Sequence, residues 1–145
     1  MTTVLAVDLG SASGRVLAGT LTDGRLDVTD IHRFKHEARR RADGTLTWDV
    51  ATMEAETIIG LKKALEQFPD AKTVSIDTWG VDWAPLDDNG ELVGDVIAYR
   101  DERTSRTLDA FRDRIADREF FDLTGNQPAT INTANQLFAF LREDP

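Results

Sequence analysis

The rhythm of apolar and polar residues changes several times along this chain, and each change marks an element. Val4-Leu5-Ala6-Val7 is a continuous apolar run that stops at Asp8, the pattern of a buried strand ending in an acid. Arg15 to Thr22 reads as a second strand, and Asp23-Gly24 after it is a hairpin turn. From Leu26 to Phe34 the pattern alternates, with Leu26, Val28, Ile31 and Phe34 apolar. Its phase slips once near Asp30, which predicts a bulge or an edge strand. The chain therefore opens as an antiparallel three-strand meander.

The period then lengthens. Val50, Met53, Thr57/Ile58, Leu61 and Ala64/Leu65 recur at helical spacing, and Asp49 before them is a good N-cap. This predicts an amphipathic helix over 50–67, ended by Phe68-Pro69-Asp70. Between strand and helix, Lys35 to Gly44 is highly charged and contains Arg39-Arg40-Arg41. So short a run in an acidic chain reads as a solvated loop. Thr45 to Trp48 is a short extended piece. Thr73 to Asp77 is the next strand, and arriving after a helix it is expected beside the first strand and parallel to it. Val81 to Leu86 and Leu92 to Tyr99 read as extended segments around the Asn89-Gly90 turn. Leu108, Phe111 and Ile115 form a second helical stripe. Phe120 to Gly125 is a helical turn stopped by Gly125-Asn126, and Gln127 to Asn132 is a loop. Ala134, Leu137, Phe138 and Leu141 make the last stripe.

Charge narrows the possible partners. The 145 residues carry a net charge of −9, which argues against a nucleic-acid surface and against an anionic membrane. There is no cysteine, so disulfides and thiol chemistry are excluded. The first apolar run is broken by Asp8, too early for a signal peptide or a span. The expectation is one cytoplasmic domain over residues 1–145. An acidic chain that holds a polyphosphate needs local N–H groups, a cation and placed basic side chains, because its overall field repels the ligand.

Such a place exists. Asp8 is followed by Leu9-Gly10-Ser11-Ala12-Ser13-Gly14, a turn of small residues between two strands. Glycine allows close backbone approach, loop N–H groups and serine hydroxyls donate, and a carboxylate attracts a hydrated cation. Arg15 is the basic residue best placed to help. No G-x-G-x-x-G and no G-x-x-x-x-G-K-[ST] is present, so the turn is neither a Rossmann nor a P-loop. At the end of the 73–77 strand stand Asp77, Trp79 and Asp82, with Arg100 further on. Carboxylates accept from hydroxyls and indole faces cover C–H groups, a chemistry suited to sugars. Trp48 and Trp83 read as core, and Trp79 as the tryptophan near ligand. His32 and His36 share a strand face about 13 Å apart, too far for one metal ion. A hairpin with a phosphate loop between its strands, then a crossover helix, is the layout of an α/β ribonuclease-H-like domain, as in actin-like ATPases. Its sheet is mixed, with the antiparallel meander, a parallel strand and flanking helices.

The stretch Ala6 to Val16, IDTWGVDW from Ile76 to Trp83 and AYRDERT from Ala98 to Thr104 together resemble the FGGY carbohydrate kinases. HRF at His32 to Phe34, TWD at Thr47 to Asp49 and Asn132-Thr133 also fit that family's pattern. The resemblance implies an ATP- and magnesium-dependent kinase acting on a ketose, the 1-hydroxyl of L-rhamnulose first, with fuculose, xylulose and glycerol as alternatives. It implies that Ser11, Ala12, Ser13, Gly14 and Arg15 hold ATP phosphates and that Asp8 lies by the metal. It implies that Gly80 touches substrate and that Trp79, Asp82, Tyr99 and Arg100 face the sugar. The family's catalytic Asp, adenosine pocket and second phosphate loop follow the segment present here. The expectation is therefore part of an N-terminal domain with no catalytic base in this chain, inactive alone. A homo-oligomer through the face left open by a missing partner domain is also expected. Trp83-Ala84-Pro85 departs slightly from the family pattern and bears on the choice of sugar.

Overall fold

The computed structural model describes residues Met1–Glu143. In chain order the elements are β1 (Thr2–Leu9), β2 (Ser13–Thr22), β3 (Arg25–Lys35), β4 (Arg39–Arg40), β5 (Leu46–Trp48), α1 (Val50–Gln67), β6 (Val74–Thr78), β7 (Val96–Ile97), α2 (Arg103–Arg112), α3 (Asp117–Thr124) and α4 (Thr133–Glu143). They fall into two compact units. One comprises Met1–Ala38 with Asp49–Gly80, and the other Arg39–Trp48 with the chain from Val81 onward.

The first unit is a four-stranded sheet in the order β3-β2-β1-β6, covered on one face by α1. The meander is antiparallel, and β6 lies parallel to β1, as the crossover helix requires. Asp23 (φ 49°) and Gly24 (φ 80°) make the tight β2–β3 turn, both in the left-handed region that a two-residue hairpin favours. In β3 the register jumps from Val16↔His32 to Leu17↔Asp30, so Ile31 is the extra residue of a bulge. The strand is also the sheet's edge, and the bulge turns Ile31 onto the core.

Period-two alternation decides which side chains are buried. Leu5 and Val7 face α1, opposite Ala18 and Val16, and all four are buried with Ala64. Burying each larger aliphatic stabilises the fold by roughly 1.5–3 kcal/mol. Val4, on the other face of β1, is 40% exposed, so the continuous apolar run is covered on one side only among the described residues. Helix α1 starts and ends where its period and cap place it. Asp49 accepts from Thr52 N at 3.0 Å, and Phe68 N closes the last turn on Ala64 O at 2.7 Å. The buried stripe is Met53, Thr57, Gly60 and Ala64, whereas Ile58 and Leu65 are 43% and 48% exposed. Gly60 rotates the helix toward itself. It has no side chain, so the helix lies directly on Val16, and an added Cβ would sit 2.4 Å from Val16 Cγ2.

The second unit combines a small sheet, ordered β4-β5-β7, with α2, α3 and α4. Here long-range pairing overrides local pattern. The charged run expected as a loop includes the strand β4, because Arg39 and Arg40 pair with Thr47 and Leu46. Val81 to Leu86 is not a strand, and its only ladder pairing among the described residues is the bridge Leu86↔Leu92. Of Leu92 to Tyr99 only Val96–Ile97 pairs, against β5. Helix α2 ends at Arg112, so Ile115 lies beyond it, and its buried residues are Arg103, Thr104 and Thr107. Phe111 packs edge-on against Phe120 (centroids 6.0 Å apart) and Phe138 (5.4 Å). Gly125, at φ 69°, stops α3 as its sequence predicts. The expected stripe of α4 is displaced. Leu137 and Leu141 are 44% and 61% exposed, while Asn135, Gln136 and Ala139 are buried. The two amides are drawn in because loop carbonyls beside them need donors: Asn135 Nδ2 reaches Ala129 O at 2.6 Å. No helix among the described residues is long and apolar enough to cross a membrane.

Candidate functional site

In the first unit β1 delivers Asp8, the chain turns through Gly10–Ala12, and β2 begins at Ser13. Gly10 N donates to Ser13 O at 3.0 Å and makes the turn tight. Ser11 and Ala12 are exposed at its tip, Ser13 is half-buried and Gly14 is buried. Phe34 of β3 lies against Gly14, where a Cβ would come within 2.2 Å of the ring. Glycine at this position lets the aromatic floor reach the strand. Behind the tip, His36 N donates to Ala12 O at 3.3 Å, and the His36 ring stacks on Trp79 with centroids 5.6 Å apart. His32 and Phe34 of β3 and His36 just beyond it alternate in one row, each ring 6.0 Å from the next. The loop thus rests on a row of rings that ends at Trp79.

Asp8 and Arg15 face each other as register partners of β1 and β2. Arg15 Nε donates to Asp8 Oδ2 at 3.0 Å, and Nη2 binds the same oxygen. The side chains are 39% and 37% exposed, so the pair is worth at most about 1 kcal/mol and an incoming phosphate can replace it. Asp77 is the register partner of Asp8 on β6, pointing to the same sheet face, and is exposed. No cluster of three His, Asp or Glu suited to a metal occurs among the described residues. The donors nevertheless suit magnesium, which takes one or two carboxylates and completes its shell with water and substrate phosphates. Asp8, with Asp77 beside it, would hold such an ion, and the ion's chemistry would be to neutralise phosphate charge.

Burial pushes the His36 imidazole below its ordinary pKa of 6.5, opposed in part by a backbone hydrogen bond with Gly10. Its folded pKa lies below the unfolded one. Its contribution to stability is therefore full above 6.5 and is lost as pH falls through the lower folded value. Replacing it by His36→Phe, which keeps a ring against Trp79, is expected to shrink the drop in melting temperature between about pH 7.5 and about pH 5.5. An equal drop in both proteins would contradict this account of the ring. The alternation His32, Phe34, His36 is the sequence signal for this row of rings.

Gly80 is exposed, and a Cβ built there meets nothing within 4 Å. Among the described residues no neighbour demands glycine at this position. In the second unit, Asp82 Oδ2 accepts from Trp48 Nε1 at 2.8 Å and Oδ1 accepts from Tyr99 N at 2.7 Å. Asp82 thus braces the segment that carries Tyr99 and Arg100. Arg100 Nε donates to Tyr99 Oη at 2.7 Å, and its guanidinium lies 5.1 Å from the ring centroid. Asp101, within the AYRDERT stretch but without an expected role, is only 7% exposed. It accepts from Leu46 N at 2.8 Å and Arg103 N at 2.9 Å, joining β5 to the start of α2. The structure thus groups Asp8, residues 11–15, Asp77, Trp79 and Gly80 in one unit, and Asp82, Tyr99 and Arg100 in the other.

The fold occurs in solved structures. The xylulose kinase from Rhodospirillum rubrum superposes with a TM-score of 0.81 at 18% identity, covering 99% of this chain and 30% of that one. The gluconate kinase from Lactobacillus acidophilus does so with 0.80 at 12% identity, covering 98% and 28%. The fold is that of the sugar kinases with an actin-like ATPase core. The model of the FGGY family of carbohydrate kinases, N-terminal domain, matches residues 3–145. The chain belongs to this family. It is 38% identical over 138 residues to a rhamnulokinase of Bacillus subtilis (strain 168), covering 95% of this chain and 28% of the relative. It is also 38% identical over 144 residues to a rhamnulokinase of Mannheimia succiniciproducens, covering 98% and 30%. The chain spans less than a third of the length of these relatives.

Proposed function

We propose that this segment serves, at the full length of its relatives, as the phosphate-gripping and sugar-facing part of a cytoplasmic kinase that transfers the γ-phosphoryl of ATP to the 1-hydroxyl of L-rhamnulose. The observation that carries the kinase reading is the Asp8–Arg15 pair across the small-residue turn. It sets a carboxylate for a cation and a guanidinium for phosphate at the two strand ends of one loop. The exposed turn at Ser11 and Ala12 donates N–H groups to phosphate oxygens, Ser13 and Gly14 form its base at the start of β2, and Arg15 adds a charge-assisted bond. Asp8 holds magnesium. Gly80 admits the sugar to the backbone, Trp79 covers its C–H face, and Asp82, Tyr99 and Arg100 bind its hydroxyls. The names of the relatives favour rhamnulose.

None of the acids here is proposed as the base that takes the sugar's proton. Asp8 is paired with Arg15, while Asp82 and Asp101 hold backbone and indole N–H groups. Phosphoryl transfer relies chiefly on positioning and charge stabilisation, the part that this segment supplies. Calorimetric titration of the full-length protein with rhamnulose, xylulose, fuculose and glycerol tests the substrate. Rhamnulose is expected to bind at least about tenfold more tightly than the rest, a difference of about 1.4 kcal/mol. Tighter binding of another sugar would overturn the substrate and leave the kinase class standing.

A further inference from the structure

The backbone between Gly80 and Asp82 is not one its own sequence favours. Val81 sits at φ 72°, in the left-handed region where a β-branched residue is a true outlier. Such a conformation persists only where the surroundings impose it. The Val81 carbonyl accepts a hydrogen bond from α4. Gln136, 1% exposed, donates from Nε2 to Val81 O at 2.8 Å and to Ile131 O at 2.9 Å. Thr133, one turn earlier on the same helix, reaches the same Val81 oxygen only at 3.5 Å. The glutamine therefore makes the shorter of the two bonds to this carbonyl.

Its orientation follows from the network. Turning the amide over would set its oxygen against two carbonyl oxygens, so the nitrogen must face them. The amide oxygen is then buried with no hydrogen-bond partner among the described residues. A leucine or methionine of similar size would fill the space without that penalty. A buried amide whose oxygen goes unsatisfied, and whose two hydrogens hold a strained carbonyl, suits a residue kept for the backbone it sets.

We propose that Gln136 is a positioning residue for the substrate segment. Through the Val81 carbonyl it holds the left-handed turn that leads into Asp82 and presents that residue to the sugar. This rests on the reading of Asp82 as a sugar contact. Thr133 has a secondary part, and Ile131 ties the same amide to the loop that enters α4.

The test is a double-mutant cycle in the full-length protein, because glycine adopts φ 72° without strain and needs no clamp. Gln136→Leu is expected to raise the KM for sugar by about tenfold and to leave the KM for ATP within about twofold. In a Val81→Gly background the same change is expected to raise it by less than about threefold. Hydrogen exchange of the peptide spanning residues 79–83 is expected to accelerate in Gln136→Leu and to respond far less in the double variant. Gln136→Met replaces the leucine variant should that one not fold. Equal losses in both backgrounds, or KM values for sugar and ATP that rise together, would overturn the positioning role in favour of packing alone. If the unsubstituted protein phosphorylates no sugar, the kinase reading falls separately. The exchange cycle then decides the clamp: non-additivity upholds it and additivity overturns it.

Discussion

Arg15→Ala in the full-length protein is expected to lower kcat/KM for ATP by about 10²–10³-fold while changing the KM for sugar by less than about threefold. The size of this effect follows from the chain's charge. With a net charge of −9, its general field repels a polyphosphate, and attraction must come from a few local groups. Arg15 is the guanidinium at the mouth of the turn, already aimed there by Asp8. The stability change is expected to be small, because a half-exposed ion pair contributes at most about 1 kcal/mol. A large kinetic loss in a protein that melts normally would separate phosphate binding from folding. Arg15→Lys keeps the charge but not the planar fork, so it should fall between the two. Steady-state rates against ATP concentration measure all three, and a loss under about threefold for alanine would remove Arg15 from the site.

Gly60→Ala is expected to destabilise the protein even though alanine is the better helix former. The propensity gain is about 1 kcal/mol. Against it, the new methyl would stand 2.4 Å and 2.9 Å from two Val16 side-chain atoms and 3.1 Å from His32 Cβ. Val16 is fully buried and β-branched, so it cannot rotate away, and His32 Cβ moves only with its strand. Helix α1 would have to lift from the sheet, loosening Met53, Thr57 and Ala64 together. Overpacking of this kind costs about 1–3 kcal/mol, and removal of the helix contacts adds to it. A net loss of about 2 kcal/mol is expected, read by urea unfolding at constant m-value. The paired variant Val16→Ala, which makes room, should recover part of the loss. A melting temperature for Gly60→Ala at or above that of the unsubstituted protein would contradict the close approach of helix and sheet.

Local signals explain why the first unit was readable. The β1–β3 meander, the bulge at Ile31 and the bounds of α1 follow from alternation, a two-residue turn, an N-cap and a helical period, all written within a few residues. The turn after Asp8 was readable for the same reason, although β2 takes up Ser13 and Gly14, which the run of small residues left in the turn. The second unit was less so because its order comes from pairings far apart in sequence. Arg39-Arg40 becomes a strand by pairing with Leu46 and Thr47. Asp101 and Gln136 are buried to satisfy backbone groups that only the folded chain brings to them. Apolar periodicity cannot find an amide that is buried for its hydrogen bonds, so the stripe assigned to Leu137 and Leu141 named the exposed side of α4. Nor can it find Val81, whose left-handed backbone contradicts its own propensity. Those are the places where long-range hydrogen bonding overrules local preference.

The central claim is that the turn beside Asp8 and Arg15 delivers the phosphate of ATP to a sugar. Its most direct measurement is ³¹P NMR of the full-length protein with ATP, magnesium and L-rhamnulose. The account predicts one sugar 1-phosphate formed for each ADP, with no turnover when the sugar is omitted. ATP left intact with rhamnulose and with every alternative sugar, or ATP hydrolysed to ADP and inorganic phosphate whether or not sugar is present, would contradict it.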